Sequence, residues 1–418
     1  MTRQSRITDV GDITAARIIS PEAYRNEGYP FAEWDALREH APVKYMDEWD
    51  IPFWAVTRHE DISYIGQHPE LFLNAPLLFI NPMLEEPEEF ERPATLIEQD
   101  NPQHSKNRKL IGKRFTPKAL KRIHDDIERI AHSIVDDLLA EGDEGEIDFV
   151  ERISAPLPIA VIAWLLGVPE SDWELIFDWT NKSIGAQDPE FAGEAGPEVG
   201  RQALMEMFTY FAGLVEERRK DPKEDLISMF CAAEVDGEAL PLIDILAWCQ
   251  IIMVAGNETT RNATSGGMLA LIQHQDQLRK LQAEPALLKS AIEEILRWSS
   301  PIIHFARTAS QDTELGGQKI KEGQKLAIFF PSANRDTAVF ENPYEFRIDR
   351  PANQHLAFGV GEHFCAGSHV ARLEIEMAFK YLLPRIEEIE LTGPPDRLQS
   401  NLVGGIKRLP IRYKLRPA

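Results

Sequence analysis

The sequence predicts a mainly α chain with small β-sheets. Apolar residues recur at helical spacing in several stretches, one of them running from about Leu242 to Gln273, while strand signals are short and local. There is no repeat and no low-complexity tract. Near the N-terminus, Val43 to Tyr45 and Phe53 to Thr57 read as strands separated by polar turn residues. Residues 81–98, rich in Pro and Glu, read as irregular. Ile123, Ile127, Ile130, Ile134, Val135 and Leu138 mark a helix that stops at Gly142. Leu204, Met207, Phe208, Phe211 and Val215 mark another, ending before the charged run Arg218 to Pro222. The Leu242–Gln273 pattern is apolar on most sides, as expected of a helix that runs through the core. A further helix begins near Pro285 and carries Leu288, Ile292 and Ile295 to Trp298. Gly316-Gly317 signals a hairpin, followed by a strand over Lys325 to Phe330. After Gly367 helical spacing resumes, with Val370, Leu373 and Met377 on one face.

The chain has 418 residues, 43% of them hydrophobic, and a formal net charge of −23. That acidity argues against general binding to nucleic acid or an anionic membrane. The most apolar stretch, Ala155 to Val168, is too short to span a bilayer and holds Pro156 and Pro158. The first residues, Met1 to Arg6, lack the apolar core of a signal peptide. A soluble, cytoplasmic, monomeric protein is the expectation. With only three cysteines, Cys231, Cys249 and Cys365, no disulfide framework is implied.

Cys365 lies in Phe358-Gly359-Val360-Gly361-Glu362-His363-Phe364-Cys365-Ala366-Gly367, directly before a helical pattern. A thiol at a helix N-terminus feels the positive end of the dipole, which favours the thiolate. Gly359, Gly361 and Gly367 remove side chains where a flat cofactor would approach the sulfur. Alone, this stretch also reads as a structural cysteine beside a glycine-rich turn. The spacing Phe358-x-x-Gly361-x-x-x-Cys365-x-Gly367 resembles the haem-binding signature of the cytochrome P450 superfamily. That resemblance implies a cytochrome P450 fold over residues 1–418 as a single domain, with haem b between the long central helix and the cysteine loop. It also implies that Cys365 is the axial iron ligand, with Phe358 and Gly359 against the cofactor.

Four further groups of residues are similar to motifs of the same family. Ala255-Gly256-Asn257-Glu258-Thr259-Thr260 interrupts the long helix with poor helix formers, and threonine hydroxyls there can bond back to carbonyls and bend it. The segment resembles the acid–alcohol motif, which implies that Glu258 and Thr259 deliver protons to dioxygen; Asn262 is placed to extend their network. Glu294 and Arg297 sit three residues apart on one helical face, a spacing most often seen in exposed ion pairs. They resemble the family's structural Glu-x-x-Arg, with Arg350, rather than Arg347, as third member. His104 and Arg108, at i,i+4 spacing, resemble the pair that clasps a haem propionate, and Arg307 and His363 resemble two more propionate donors. The basic run from Lys106 to Arg122 otherwise reads as a solvated face. Beside a propionate clasp, it implies a positive surface at Lys109, Lys113 and Arg372 that steers a ferredoxin-type donor.

The resemblance puts the substrate pocket at Leu77 to Phe90, at Ile251, Val254 and Ala255, at Ile302, Ile303 and His304 with Phe305, and at Leu402 and Val403. His304 reads either as a backbone-bonded histidine or as a hydrogen-bond donor to substrate. The implied activity is a haem-thiolate monooxygenase. It uses O2 and two electrons from NAD(P)H, passed through ferredoxin and its reductase, to hydroxylate a terpenoid, steroid, branched lipid or aromatic. The sequence shows no dinucleotide fingerprint, and the expectation is a chain without a fused reductase domain. The alternatives are a peroxide-driven peroxygenase and a haem sensor or ligand carrier without turnover.

Overall fold

The structure is a computed structural model that describes residues 9–81, 94–112, 115, 121, 123–193 and 196–416. The helices that position the site are α1 (His59–Gln67), α2 (Gln103–Gly112), α3 (His124–Glu141), α4 (Pro156–Leu166), α5 (Trp173–Ile184), α6 (Pro197–Lys220), α7 (Leu242–Gln273), α8 (Leu288–Ser299) and α9 (Ser368–Leu382). The strands are β1 (Val43–Met46), β2 (Phe53–Val56), β3 (Phe72–Leu73), β4 (Glu144–Asp148), β5 (His304–Ala309), β6 (Lys325–Phe329), β7 (Ile386–Leu391) and β8 (Pro410–Leu415).

Helix α7 occupies the bounds its apolar pattern predicts, and α4, α5, α6, α8 and α9 pack around it. Among the described residues it is also the one helix long and apolar enough to cross a membrane. Here α7 is the core helix of a protein interior, which passes the same length and composition test. Its flanks bury separate clusters. Ile162, Phe211 and Trp248 lie on one side, and Met268, Ile295, Phe379 and Ile411 on the other.

Two sheets frame this helical body. In the larger, the order is β1-β2-β6-β5-β3, with β6 parallel to β2 and the other pairs antiparallel. β2 and β6 are almost wholly buried, so they read as apolar runs rather than alternating ones. In the smaller, β8 pairs with both β7 and β4, joining residues far apart in sequence. The glycine hairpin forms as expected between Thr313–Leu315 and Gln318–Ile320, with φ of +57° at Gly316 and +77° at Gly317.

Candidate functional site

Backbone bonds shape the loop that presents Cys365 before α9. Its N–H donates to the Phe358 carbonyl at 2.9 Å, Gly359 N–H to Leu356 at 2.9 Å, and Phe364 N–H to Gly361 at 3.0 Å. Gly361 has φ of +78°, and a Cβ there would lie 1.7 Å from the Gly66 carbonyl of α1. This glycine is therefore required by α1, and Gly359 and Gly367 line the cavity beside the sulfur. Burial pushes the Cys365 thiol up, against the N–H groups of Gly367 and Ser368 and the cations Arg108 and Arg372. The helix terminus by itself does not win, contrary to the sequence expectation. A metal cation at the sulfur reverses that balance, since a coordinating thiol is deprotonated.

Across the cavity mouth four basic side chains converge. His104 on α2 is 1% exposed, neither of its ring nitrogens has a hydrogen-bond partner, and it stacks on His363 with centroids 3.9 Å apart. Arg307, from β5, is buried and donates to the Ala306 carbonyl at 2.7 Å; Arg108 bonds the Phe364 carbonyl. Burial, with His104, Arg307 and Arg108 adding repulsion, drives His363 down to about 2. Burial likewise lowers His104, Arg108 and Arg307, the last to about 10. Such crowding of donors suits an anion with several carboxylate oxygens. Thus the structure brings together all four residues singled out from sequence, and all four line one cavity with Cys365.

The cavity holds about 1670 Å³ of empty space, part of it open to solvent, and helix α7 forms its far wall. Ile251, Ile252, Ala255, Gly256, Thr259, Thr260 and Ala263 face it. The Thr259 hydroxyl donates back to the Ala255 carbonyl at 2.6 Å. Gly256 also gives room to α4, since a Cβ there would meet Ile162 at 2.5 Å. Glu258 does not face the cavity. It is 1% exposed and paired with Arg261, whose Nη1 donates to Asn181 Oδ1 on α5 at 2.9 Å. Burial raises Glu258, Arg261 opposes it, and burial prevails. Thr259 faces the cavity, whereas the ion pair with Arg261, itself bonded to Asn181, holds Glu258 on the α5 side of the helix. Asn262 is tied elsewhere, accepting from the Ile406 N–H at 3.1 Å.

Of the expected pocket residues, Ile251, Ala255 and Ile302 line the cavity, as does Phe305. Ile303, His304, Val254, Leu402 and Val403 do not. Strand alternation explains His304: Phe305 and Arg307 face the cavity, so His304 and Ala306 point away, while Ile303, just before β5, is buried in the cluster that holds Ala306 and Phe329. His304 is not a substrate donor. Its Nδ1 bonds the Asn401 carbonyl at 2.8 Å and its Nε2 accepts from the Ile80 N–H at 3.0 Å. Burial lowers it to about 4, so it is neutral, with the proton on Nδ1. Val254 packs into the core on the α4 side. Val403 is buried and bridges to Ile302, while Leu402 offers its carbonyl to the Ile303 N–H at 2.8 Å. Most of the Leu77 to Phe90 segment lies outside the described residues. Sequence reasoning missed Leu96 and Ile97, which complete the apolar wall.

The cytochrome P450 family model matches residues 198–416. A methyl-branched lipid omega-hydroxylase of Mycobacterium tuberculosis is 36% identical over 386 residues, covering 90% of this chain and 89% of the relative. A steroid C26-monooxygenase of Rhodococcus jostii is 36% identical over 406 residues, covering 94% and 84%. The chain belongs to the cytochrome P450 family. Among solved structures, CYP108D1 from Novosphingobium aromaticivorans superposes with a TM-score of 0.86 at 36% identity, covering 98% of this chain and 99% of that one. The fold is thus the cytochrome P450 fold, mainly α with small sheets, and the chain is a P450 monooxygenase.

Membership implies a haem iron cofactor, and the residues of this P450 fit it. Both ring nitrogens of buried His104 lack a hydrogen bond, Nδ1 lying 3.8 Å from Glu362 Oε1, and Gly367 leaves open space beside the sulfur. The Glu294–Arg297 pair of α8 is wholly buried, not at the surface. Arg297 reaches both Glu294 oxygens at 2.8 Å and the carbonyls of Asn334 and Pro343 at 2.8 and 2.9 Å. Arg350 adds a third contact to Glu294 at 3.0 Å, whereas Arg347 meets it only through its backbone N–H. Only part of the expected positive face lies within the described residues. Lys109 is exposed with no ion pair among the described residues, Lys113 lies outside them, and Lys106 pairs with Asp236 at 2.5 Å. Arg372 is not a free surface cation, being held in two bonds by Glu293. Glu374, also missed, lines the cavity from α9. Its Oε2 has no partner, and burial raises it well above the usual carboxylate range. Its position one turn beyond Val370 on the apolar face was the available signal.

Proposed function

We propose that this P450 hydroxylates a neutral, hydrophobic substrate of the terpenoid, steroid, branched-lipid or aromatic class. The observation that carries this is the cavity wall opposite Cys365. Leu96, Ile97, Ile251, Ile252, Ile302 and Phe305 supply apolar surface, with the Thr259 and Thr260 side chains as its polar groups. Burial of an apolar ligand follows from such a lining, and orientation rests on shape. The M. tuberculosis and R. jostii relatives, named for a methyl-branched lipid and a steroid, support the same class.

In this reading Cys365 would supply the sulfur ligand of haem b, His104, Arg108, Arg307 and His363 would hold its propionates, and Phe358 and Gly359 would lie beside it. The haem, when bound, supplies the activation of dioxygen. Thr259 holds a proton-donating water at the cavity wall. Glu258, behind it and paired with Arg261, exchanges protons with that wall after a side-chain rotation. Electrons from NAD(P)H arrive through a ferredoxin and its reductase at the face that carries Lys109. The protein works as a cytoplasmic monomer. A spin-state binding screen with terpenoids, steroids, branched and straight lipids and aromatic acids tests the substrate class. Ligands of the proposed classes shift the Soret band, and charged straight-chain acids alone doing so would overturn the assignment. Product formed with ferredoxin and reductase, against product formed with peroxide, tests the route of electrons. Turnover with peroxide alone would make the protein a peroxygenase, and no turnover with either would make it a carrier.

A further inference from the structure

Arg372 looks inward. Its guanidinium carbon lies 4.5 Å from the centroid of the Phe358 ring, and its Nε and Nη2 donate to the two carboxylate oxygens of Glu293 at 2.6 and 2.9 Å. The same Glu293 meets His355 Nε2 at 3.0 Å, and His355 Nδ1 accepts the Ala357 N–H at 3.2 Å. Glu293 on α8 therefore grips both the entry to the cysteine loop and the first turn of α9 that leaves it. Phe358 lies between, and its carbonyl accepts the Cys365 N–H at 2.9 Å. Burial pushes Glu293 up, but the bonds from Arg372 and His355 outweigh it and bring the carboxyl to about 2, so the pair is charged at neutral pH. A bidentate guanidinium on an aromatic face is a rigid, directional contact that lysine cannot reproduce.

We propose that Glu293, Arg372 and His355 act as positioning residues that clamp Phe358, and through its carbonyl fix the Cys365 loop and the electron donation of its sulfur. This goes beyond the role of a partner-docking cation for Arg372, and it rests on the reading of Cys365 as the axial ligand. The geometry makes the effect intrinsic: it is present with no redox protein bound.

The test uses purified holoenzyme without ferredoxin, reading the reduction potential and the ferrous–CO spectrum. The variants are Arg372→Leu, Arg372→Lys and Glu293→Leu with Arg372→Leu. The double variant removes both charges of the pair and leaves local charge balanced. The expected result is that it shifts the ferric/ferrous equilibrium by about tenfold, about 59 mV for one electron. It also moves part of the CO complex to the less red-shifted band of a lost thiolate, and Arg372→Lys does so to a smaller degree. If the double variant returns to the parent values, the effect is charge alone and the clamp is refuted. If all variants match the parent on both readings, the clamp is again refuted, and slower reduction in a separate assay with added ferredoxin would make Arg372 a docking residue. Should the leucine variants not retain haem, Arg372→Lys and Glu293→Gln decide on the same two readings. A parent protein lacking the strongly red-shifted band would instead overturn the Cys365 reading itself.

Discussion

Acidification should weaken this fold through His304, and its surroundings give the size of the effect. The imidazole is fully buried between the Phe79 and Phe329 rings, bonded to Asn401 and Ile80, and its shift comes from burial with no charged group as a cause. In the unfolded chain it takes a proton near its ordinary 6.5; in the fold, only near about 4. Its contribution is therefore whole above pH 6.5 and is lost as pH falls toward 4, because the unfolded state binds the proton first. At about 1.36 kcal/mol per pH unit, the interval is worth about 3 kcal/mol. His304→Gln keeps one donor and one acceptor but cannot titrate. Urea unfolding followed by far-ultraviolet circular dichroism, at steps from pH 7.5 to 4.5, should show the parent losing stability faster than the variant. The two curves should converge by about 2 to 3 kcal/mol at the acid end. Parallel curves across that range would refute a neutral, buried His304.

Other residues give equally direct outcomes. Arg297→Leu leaves Glu294 charged and buried and strands the carbonyls of Asn334 and Pro343, so it should cost about 3–5 kcal/mol in chemical denaturation. Arg307→Ala removes one charge-assisted donor, worth about 1.5–3 kcal/mol, and haem release to an acceptor protein should speed by roughly tenfold or more. Thr259→Ala should leave haem content and substrate-induced Soret shifts intact while product yield falls by about 10²-fold or more, with consumed dioxygen appearing as peroxide.

Local signals were legible and tertiary ones were not. The bounds of α7 follow from its own apolar pattern, while the cysteine loop and the four donors His104, Arg108, Arg307 and His363 follow from short motifs through the family resemblance. β4 was not readable, because Glu144–Asp148 is polar and half exposed and pairs with a strand at the far end of the chain. Strand phase decided the pocket. One residue of offset along β5 puts Phe305 in the cavity and His304 in the core, a distinction that composition cannot make. Arg372 reads as a surface charge until α8 brings Glu293 against it, and Glu258 reads as a cavity acid until the helix rotation and Arg261 place it behind the wall.

The central claim is that Cys365 is the sulfur ligand of the haem iron. Its most direct test is the CO difference spectrum of the reduced, freshly purified protein beside that of Cys365→Ala. The parent should give the strongly red-shifted Soret band of a thiolate-bound haem, and the variant should lose that band or its haem. A parent without the band, or a Cys365→Ala protein that keeps it, would contradict the account.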